Sequence, residues 1–376
     1  MKSKNFGYIP ALDHLRGFAA LLVLFFHGGH FISNKLIYAA PYDPANWLRV
    51  NNPLAALVIE GHTAVSLFFV LSGFVFTAGS LHKELNYVGF FRNRFLRTYP
   101  LFLFFLTLGV LFGGGSVDTI ALLKSVLFMA NSASAFNGGP FTYVFWSIGV
   151  EWQFYLLFPF LLMGVQRLGW RLIPCLMLIF IGYRVFAYLQ GMDMLRVSYW
   201  SIMGRMDQFL MGMLAALFYL SRFRESANFD RLGVAAAGLI LLLLFGFNQT
   251  GGGAQNNYVW ILWPTIEGAA WALFVIGYLS LARHWHKQVN RLLLGLGTIS
   301  YSIYMVHYVV LEFFMSRDWD ILIRTADPLV TAVLNILLLV APVVVLISTL
   351  SYVAVERPFL RRRSSYTQVA ESIEPT

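Results

Sequence analysis

The run LDHLRGFAALLVLFFHGGHF, residues 12–31, is apolar enough for a membrane helix, yet it carries Asp13, His14, Arg16, His27 and His30. A charge at the bilayer centre costs about 2.5–3.5 kcal/mol on insertion scales, so such groups face a protein interior or a wet cavity. Arg16 and His27 stand eleven residues apart. That is three helical turns plus about 20°, and about 16 Å along the axis, so they share one face at different depths. Other apolar runs hold further polar groups. Ser147 and Glu151 are i, i+4 neighbours; Arg205 and Asp207 stand close in sequence; Ser300, Tyr304 and His307 share a face by i, i+4, i+7 spacing. An imidazole beside a carboxylate can move a proton, and guanidinium forks suit phosphate. His27 and His30 could suggest metal, but no carboxylate or third histidine stands at ligand spacing, so none is expected. Each group also has a bland reading. A lone membrane histidine can be a hydrogen-bonded packing residue, Arg205 and Asp207 can be a buried ion pair, and Tyr304 can be core.

The elements that must position these groups are membrane helices. The 376-residue chain is 58% hydrophobic, 17% aromatic and 12% charged, with a mean hydropathy of +0.67. Soluble proteins carry about 25% charged residues. This composition predicts an all-α polytopic membrane protein. A single cysteine, Cys175, excludes a disulfide framework or thiolate cluster. Lys2 and Lys4 precede a long apolar run with no small-residue cleavage site, which predicts an uncleaved first span.

Spanning about 30 Å takes close to 20 apolar residues. Runs of that kind lie near 12–33, 62–81, 98–114, 144–165, 171–190, 199–220, 231–248, 259–282, 295–316 and 328–355. A further run, 117–130, is short and holds Lys124, which predicts a re-entrant or interfacial segment. If it does not cross, most lysines and arginines fall on one side. Only Lys35, Arg49, Lys124, Arg196, Arg317 and Arg324 fall on the other, with Arg184 and Arg205 inside spans. The positive-inside rule then predicts ten spans with both termini cytoplasmic. The net charge of +9 thus belongs to the membrane surface, not to nucleic acid. Residues 364–376 read as a short cytoplasmic tail after a membrane domain of residues 1–363, with YTQVAESIEPT, residues 366–376, expected to be disordered. In this threading Ser147, Glu151, Arg205 and Asp207 come to the outer half, level with His27, and Glu151 is the expected partner of His27. The glycine triplets at 113–115 and 251–253 lack a following Lys-Ser/Thr, so no phosphate loop is predicted.

Taken in order, LDHLRGFAALLVLFFH, SLFFVLSGFVFT, FFRNRFLRTYP, FWSIGVEWQFYLLFPF, GRMDQFLMGML, ISYSIYMVH and VERPF resemble the motif series of the acyltransferase 3 family of membrane O-acyltransferases, over residues 8–360. Arg16 and His27 match its Arg/Lys-X10-His element, Arg94 and Arg97 its Arg-X-X-Arg element, and Glu151 the carboxylate of Trp-Ser-X-X-X-Glu. His14 stands where glycine is usual, and Ile148-Gly149 replaces Leu-Ser. The resemblance implies transfer of an acyl group, usually acetyl from acetyl-CoA, to a hydroxyl of a cell-surface glycan or lipid-linked sugar at a bacterial inner membrane. A small natural product is the alternative acceptor. A flippase for a lipid-linked sugar is the rival function, against which the lack of internal repeats argues. No esterase-like domain, such as some members carry, is expected. On this reading CoA phosphates lie on Arg16, Arg92, Arg94 and Arg97. The 16 Å from Arg16 to His27 is comparable with an extended pantetheine arm. His27 is the expected general base, oriented by Glu151, or alternatively the carrier of a covalent acyl group. Ser147 or Arg205 is the expected oxyanion donor, and Asp207, Tyr304 and His307 are candidate substrate contacts. Oligomeric state is not legible.

Overall fold

The computed structural model describes residues 7–114, 117–221 and 228–369. Lys2, Lys4, Arg222, Arg224 and residues 370–376, all used in the charge count or the tail assignment, lie outside them. The described residues are mainly helical, as a bilayer requires, because a helix satisfies its own backbone groups where water is absent. The main helices are α1 (Pro10–Tyr38), α2 (Thr63–Ser80), α3 (Tyr87–Phe112), α4 (Thr119–Val126), α5 (Phe145–Leu168) and α6 (Leu172–Leu189). There follow α7 (Ile202–Ser221), α8 (Asp230–Gln249), α9 (Val259–Leu281), α10 (Lys287–Thr298), α11 (Ser300–Met315) and α12 (Pro328–Leu360), the last carrying π-turns at Ile336–Val340 and Tyr352–Glu356.

Eight helices among the described residues are long and apolar enough to cross a membrane, or nine if the bent pair α10–α11 counts as one. The tenth expected span is α7, twenty residues long, which is less apolar because it holds buried Arg205, Asp207 and Gln208. The segment near 117–130 contains only α4, eight residues and about 12 Å long, too short to cross. The run 295–316 is not one straight helix. It breaks at Ile299, where α10 and α11 meet at 69°.

Two close approaches set the centre. A Cβ on Gly73 of α2 would lie 2.1 Å from the Phe209 carbonyl of α7, and one on Gly212 would lie 2.0 Å from that of Val70. The two backbones therefore touch, and α2 is the most enclosed helix of the bundle. A Cβ on Gly297 would lie 2.0 Å from the Asp13 carbonyl, so the end of α10 rests on the first turn of α1.

The tail departs from expectation. Residues 364–369 are ordered: Thr367–Val369 pairs antiparallel with Lys83–Leu85, Lys83 opposite Val369. Asn93 clasps Ser364 through both backbone groups, at 2.6 and 3.2 Å, and the Tyr366 ring is buried against Phe90. A polar tail lacks the apolar content to fold alone; here the bundle supplies the partner surface.

Candidate active site

A cavity of about 250 Å³ opens between α1, α2, α3, α5 and the α10–α11 bend. At its mouth stand Arg16, Arg94, Arg97 and Arg363. Arg16 is held by Asp13 at 2.7 Å, one turn earlier on α1. Arg97 is held by Glu356 at 3.1 Å, and Glu356 also accepts from Ser302. Arg94 lies over the Phe76 ring at 4.7 Å, and its buried Nε has no hydrogen-bond partner among the described residues. Arg92 does not join them. Two residues before Arg94 it points about 200° away, and it is exposed. Arg363, just beyond the last helix, was not expected in the site. Burial pushes its pKa down to about 10, helped by the nearby charges of Arg97, Arg94 and Arg16.

Deeper in, Glu151 accepts a hydrogen bond from Ser72 of α2 at 2.7 Å. One turn further along α5, the Ser147 hydroxyl meets the Tyr304 hydroxyl of α11 at 2.6 Å. Ser147 also donates to the Val144 carbonyl, so the proton between the two hydroxyls belongs to Tyr304. This pair lines the deep end of the cavity.

His27 lies beyond that end and is not paired with Glu151. Its Nδ1 stands 3.0 Å from Nε2 of His307, whose Nδ1 stands 3.2 Å from the Ile303 carbonyl. A carbonyl only accepts, so His307 Nδ1 carries the proton and a neutral His307 offers Nε2 as acceptor. His27 Nδ1 must then donate, which leaves its Nε2 lone pair without a hydrogen-bond partner among the described residues. The expected Glu151 contact fails because α11 packs on α1 and bonds to α5 through Tyr304 and Ser147, so its His307 takes the place beside His27. Tyr308 lies 5.0 Å from His27, ring centre to ring centre, and Tyr143 packs on Tyr308. His30 turns away, with Nε2 on the Ile59 carbonyl. No group of three or more metal-ligating side chains occurs among the described residues.

Arg205 and Asp207 do not pair with each other. Residues two apart on a helix face different ways. Asp207 binds Arg184 at 2.6 Å, both fully buried, and accepts from Thr265. Arg205 binds Ser66 at 3.0 Å and lies 3.5 Å from Glu267. Neither lines the cavity, so of the two expected oxyanion donors only Ser147, with Tyr304, is placed to act there.

The family described as an acyltransferase domain matches residues 9–353. The chain is 26% identical over 404 residues to the acyltransferase MdmB of Streptomyces mycarofaciens, covering 98% of this chain and 95% of that one. It is 24% identical over 393 residues to the O-acetyltransferase OatA of Staphylococcus aureus (strain NCTC 8325), covering 94% of this chain but only 58% of that protein. No solved structure matches.

Proposed function

Because the chain belongs to this acyltransferase family and is a membrane O-acyltransferase, we propose that it moves acetyl from acetyl-CoA to a hydroxyl of a cell-surface glycan or lipid-linked sugar across a bacterial inner membrane. One observation carries the reading. Arginines ring one end of a cavity that closes on the Ser147–Tyr304 hydroxyls, with the His27–His307 pair one turn beyond on α11.

The arginine end is the cytoplasmic end by the charge rule, and CoA is a cytoplasmic polyanion. Its phosphates bind Arg16, Arg94 and Arg97 through charge-assisted forks. The pantetheine arm runs inward and brings the thioester to Ser147 and Tyr304. The acceptor arrives from the opposite side, past Tyr143 and Tyr308. His27 Nε2 takes the proton of the acceptor hydroxyl as its oxygen attacks the thioester carbonyl, while His307 holds the imidazole in the required tautomer. Tyr304 redirects its hydroxyl from Ser147 to the developing oxyanion. The C–S bond then breaks, and the CoA sulfur leaves with the proton returned by His27. Acetyl crosses; CoA stays inside.

The test uses protein purified into nanodiscs with acetyl-CoA and measures release of free CoA thiol. Wild-type protein turns over acetyl-CoA and binds it more weakly as salt rises, because the contacts are charged, and Arg94→Ala with Arg97→Ala raises the apparent donor KM and makes it less sensitive to salt. An unchanged donor KM in the folded double variant would return these arginines to lipid anchoring.

A further inference from the structure

The cavity mouth is completed by residues that lie after the family match ends at residue 353. Past Leu360 the chain does not leave the protein. It turns back across the arginine end, where Asn93 grips Ser364. The Asn86 amide donates to the Tyr366 carbonyl at 2.9 Å, and Thr367–Val369 zips onto Lys83–Leu85. Tyr366, 4% exposed, wedges against Phe90 and lines the cavity alongside Arg363. Each attachment falls within six residues of Arg363, so its guanidinium is carried on a fixed strap rather than on a loose tail.

The charge balance says what the strap is for. Among the described residues, the guanidiniums of Arg16, Arg94, Arg97 and Arg363 gather round the one mouth, and the buried Arg94 Nε there has no hydrogen-bond partner. Asp13 and Glu356 already hold Arg16 and Arg97, while Glu151 sits a layer deeper on Ser72. Clustered like charges out of bulk water are unfavourable unless an anion joins them. A fixed cluster of guanidinium forks selects a polyphosphate over a single carboxylate.

We infer that Arg363 is a donor-binding residue that contacts the phosphates of the CoA nucleotide, and that the strap from Ser364 to Val369 exists to hold it over the cavity mouth. The inference rests on the acetyl-CoA reading above. It adds a binding element outside the family-matched region, with Tyr366 as a positioning residue that pins the strap.

The experiment measures acetyl-CoA binding to the full chain in detergent, with the melting temperature of each variant recorded beside it. Arg363→Gln weakens acetyl-CoA binding about tenfold to a hundredfold, as loss of a charge-assisted hydrogen bond does. Arg361→Gln removes the same charge from an exposed position outside the cavity and leaves affinity unchanged. Tyr366→Ala frees the strap and weakens binding to a similar degree. Should Arg363→Gln fail to fold, Arg363→Lys keeps the charge but loses the fork, and a several-fold weaker affinity is expected. Wild-type affinity in a folded Arg363→Gln or Arg363→Lys protein overturns the inference and leaves the donor reading standing. Wild-type protein that binds no acetyl-CoA overturns both. A phosphate-bearing lipid headgroup could use the same forks. Retention of phosphatidylglycerol that falls in Arg363→Gln while acetyl-CoA affinity holds reassigns the strap to lipid and overturns the inference.

Discussion

His27 Nδ1 and His307 Nε2 stand 3.0 Å apart, joining α1 to α11 across 280 residues of sequence. With His307 committed to the Ile303 carbonyl through Nδ1, the contact works in one direction only, His27 donating. His307 thereby does for His27 what a carboxylate was expected to do. It fixes the ring and its tautomer without placing a negative charge beside it. His307→Gln retains an amide oxygen able to accept from His27, whereas His307→Leu does not. We expect His307→Leu to lose about 10²-fold in acyl transfer and His307→Gln to lose clearly less. Adding His27→Ala to His307→Leu should cost no more than His27→Ala alone, because paired groups of this kind are non-additive. Equal losses in the two His307 variants would count against the orienting role.

The Ser147–Tyr304 bond closes the deep end of the cavity. If Tyr304 turns its proton toward the thioester oxygen during transfer, Tyr304→Phe lowers kcat by about 10²-fold or more, the range for one oxyanion donor. Donor KM stays near the wild-type value, since the phosphate contacts are untouched. Steady-state kinetics that separate the two constants decide it; a rise in KM with kcat intact would make Tyr304 a packing residue.

Arg184 and Asp207 form a fully buried pair outside the cavity. Removing one partner of such a pair costs about 3–5 kcal/mol because it strands a buried charge. Asp207→Ala should therefore accumulate poorly in membranes, while the protein that does accumulate keeps its activity per molecule. Full abundance with lost activity would place Asp207 in the chemistry instead.

Orientation is open to a direct check. Reporter fusions after residue 114 and after residue 137 should report the same, extracytoplasmic side, since α4 between them is only eight residues long. Opposite sides would invert the later loops and move the arginine mouth away from cytoplasmic CoA.

Composition and span length made the membrane class, the helix positions and the non-crossing segment legible, because a bilayer imposes both. The gathering of Arg16, Arg94 and Arg97 was legible for the same reason, as charges collect at helix ends. The Arg205–Asp207 pair offered by the sequence does not form, because residues two apart on a helix face different ways and each finds its partner on another helix. The His27 partner was not legible. Periodicity gives a residue's face and its depth to within a turn, but not which helix packs beside it. Matching depth and charge favoured Glu151, whereas the packing of α11 on α1 puts His307 beside His27. Arg363 was hidden differently, in a polar segment whose order comes wholly from tertiary contacts with Asn93, Asn86 and Lys83–Leu85.

The central claim is that His27 is the base. Glutamine can fill its space and hydrogen-bond to His307, but it takes no proton at neutral pH. The deciding measurement is acetylation of the native acceptor by His27→Gln, with membrane abundance matched to wild type and His27→Ala run beside it. The account predicts that both variants are equally inactive, a loss of about 10²–10⁴-fold. Near wild-type turnover by a well-expressed His27→Gln protein would contradict it.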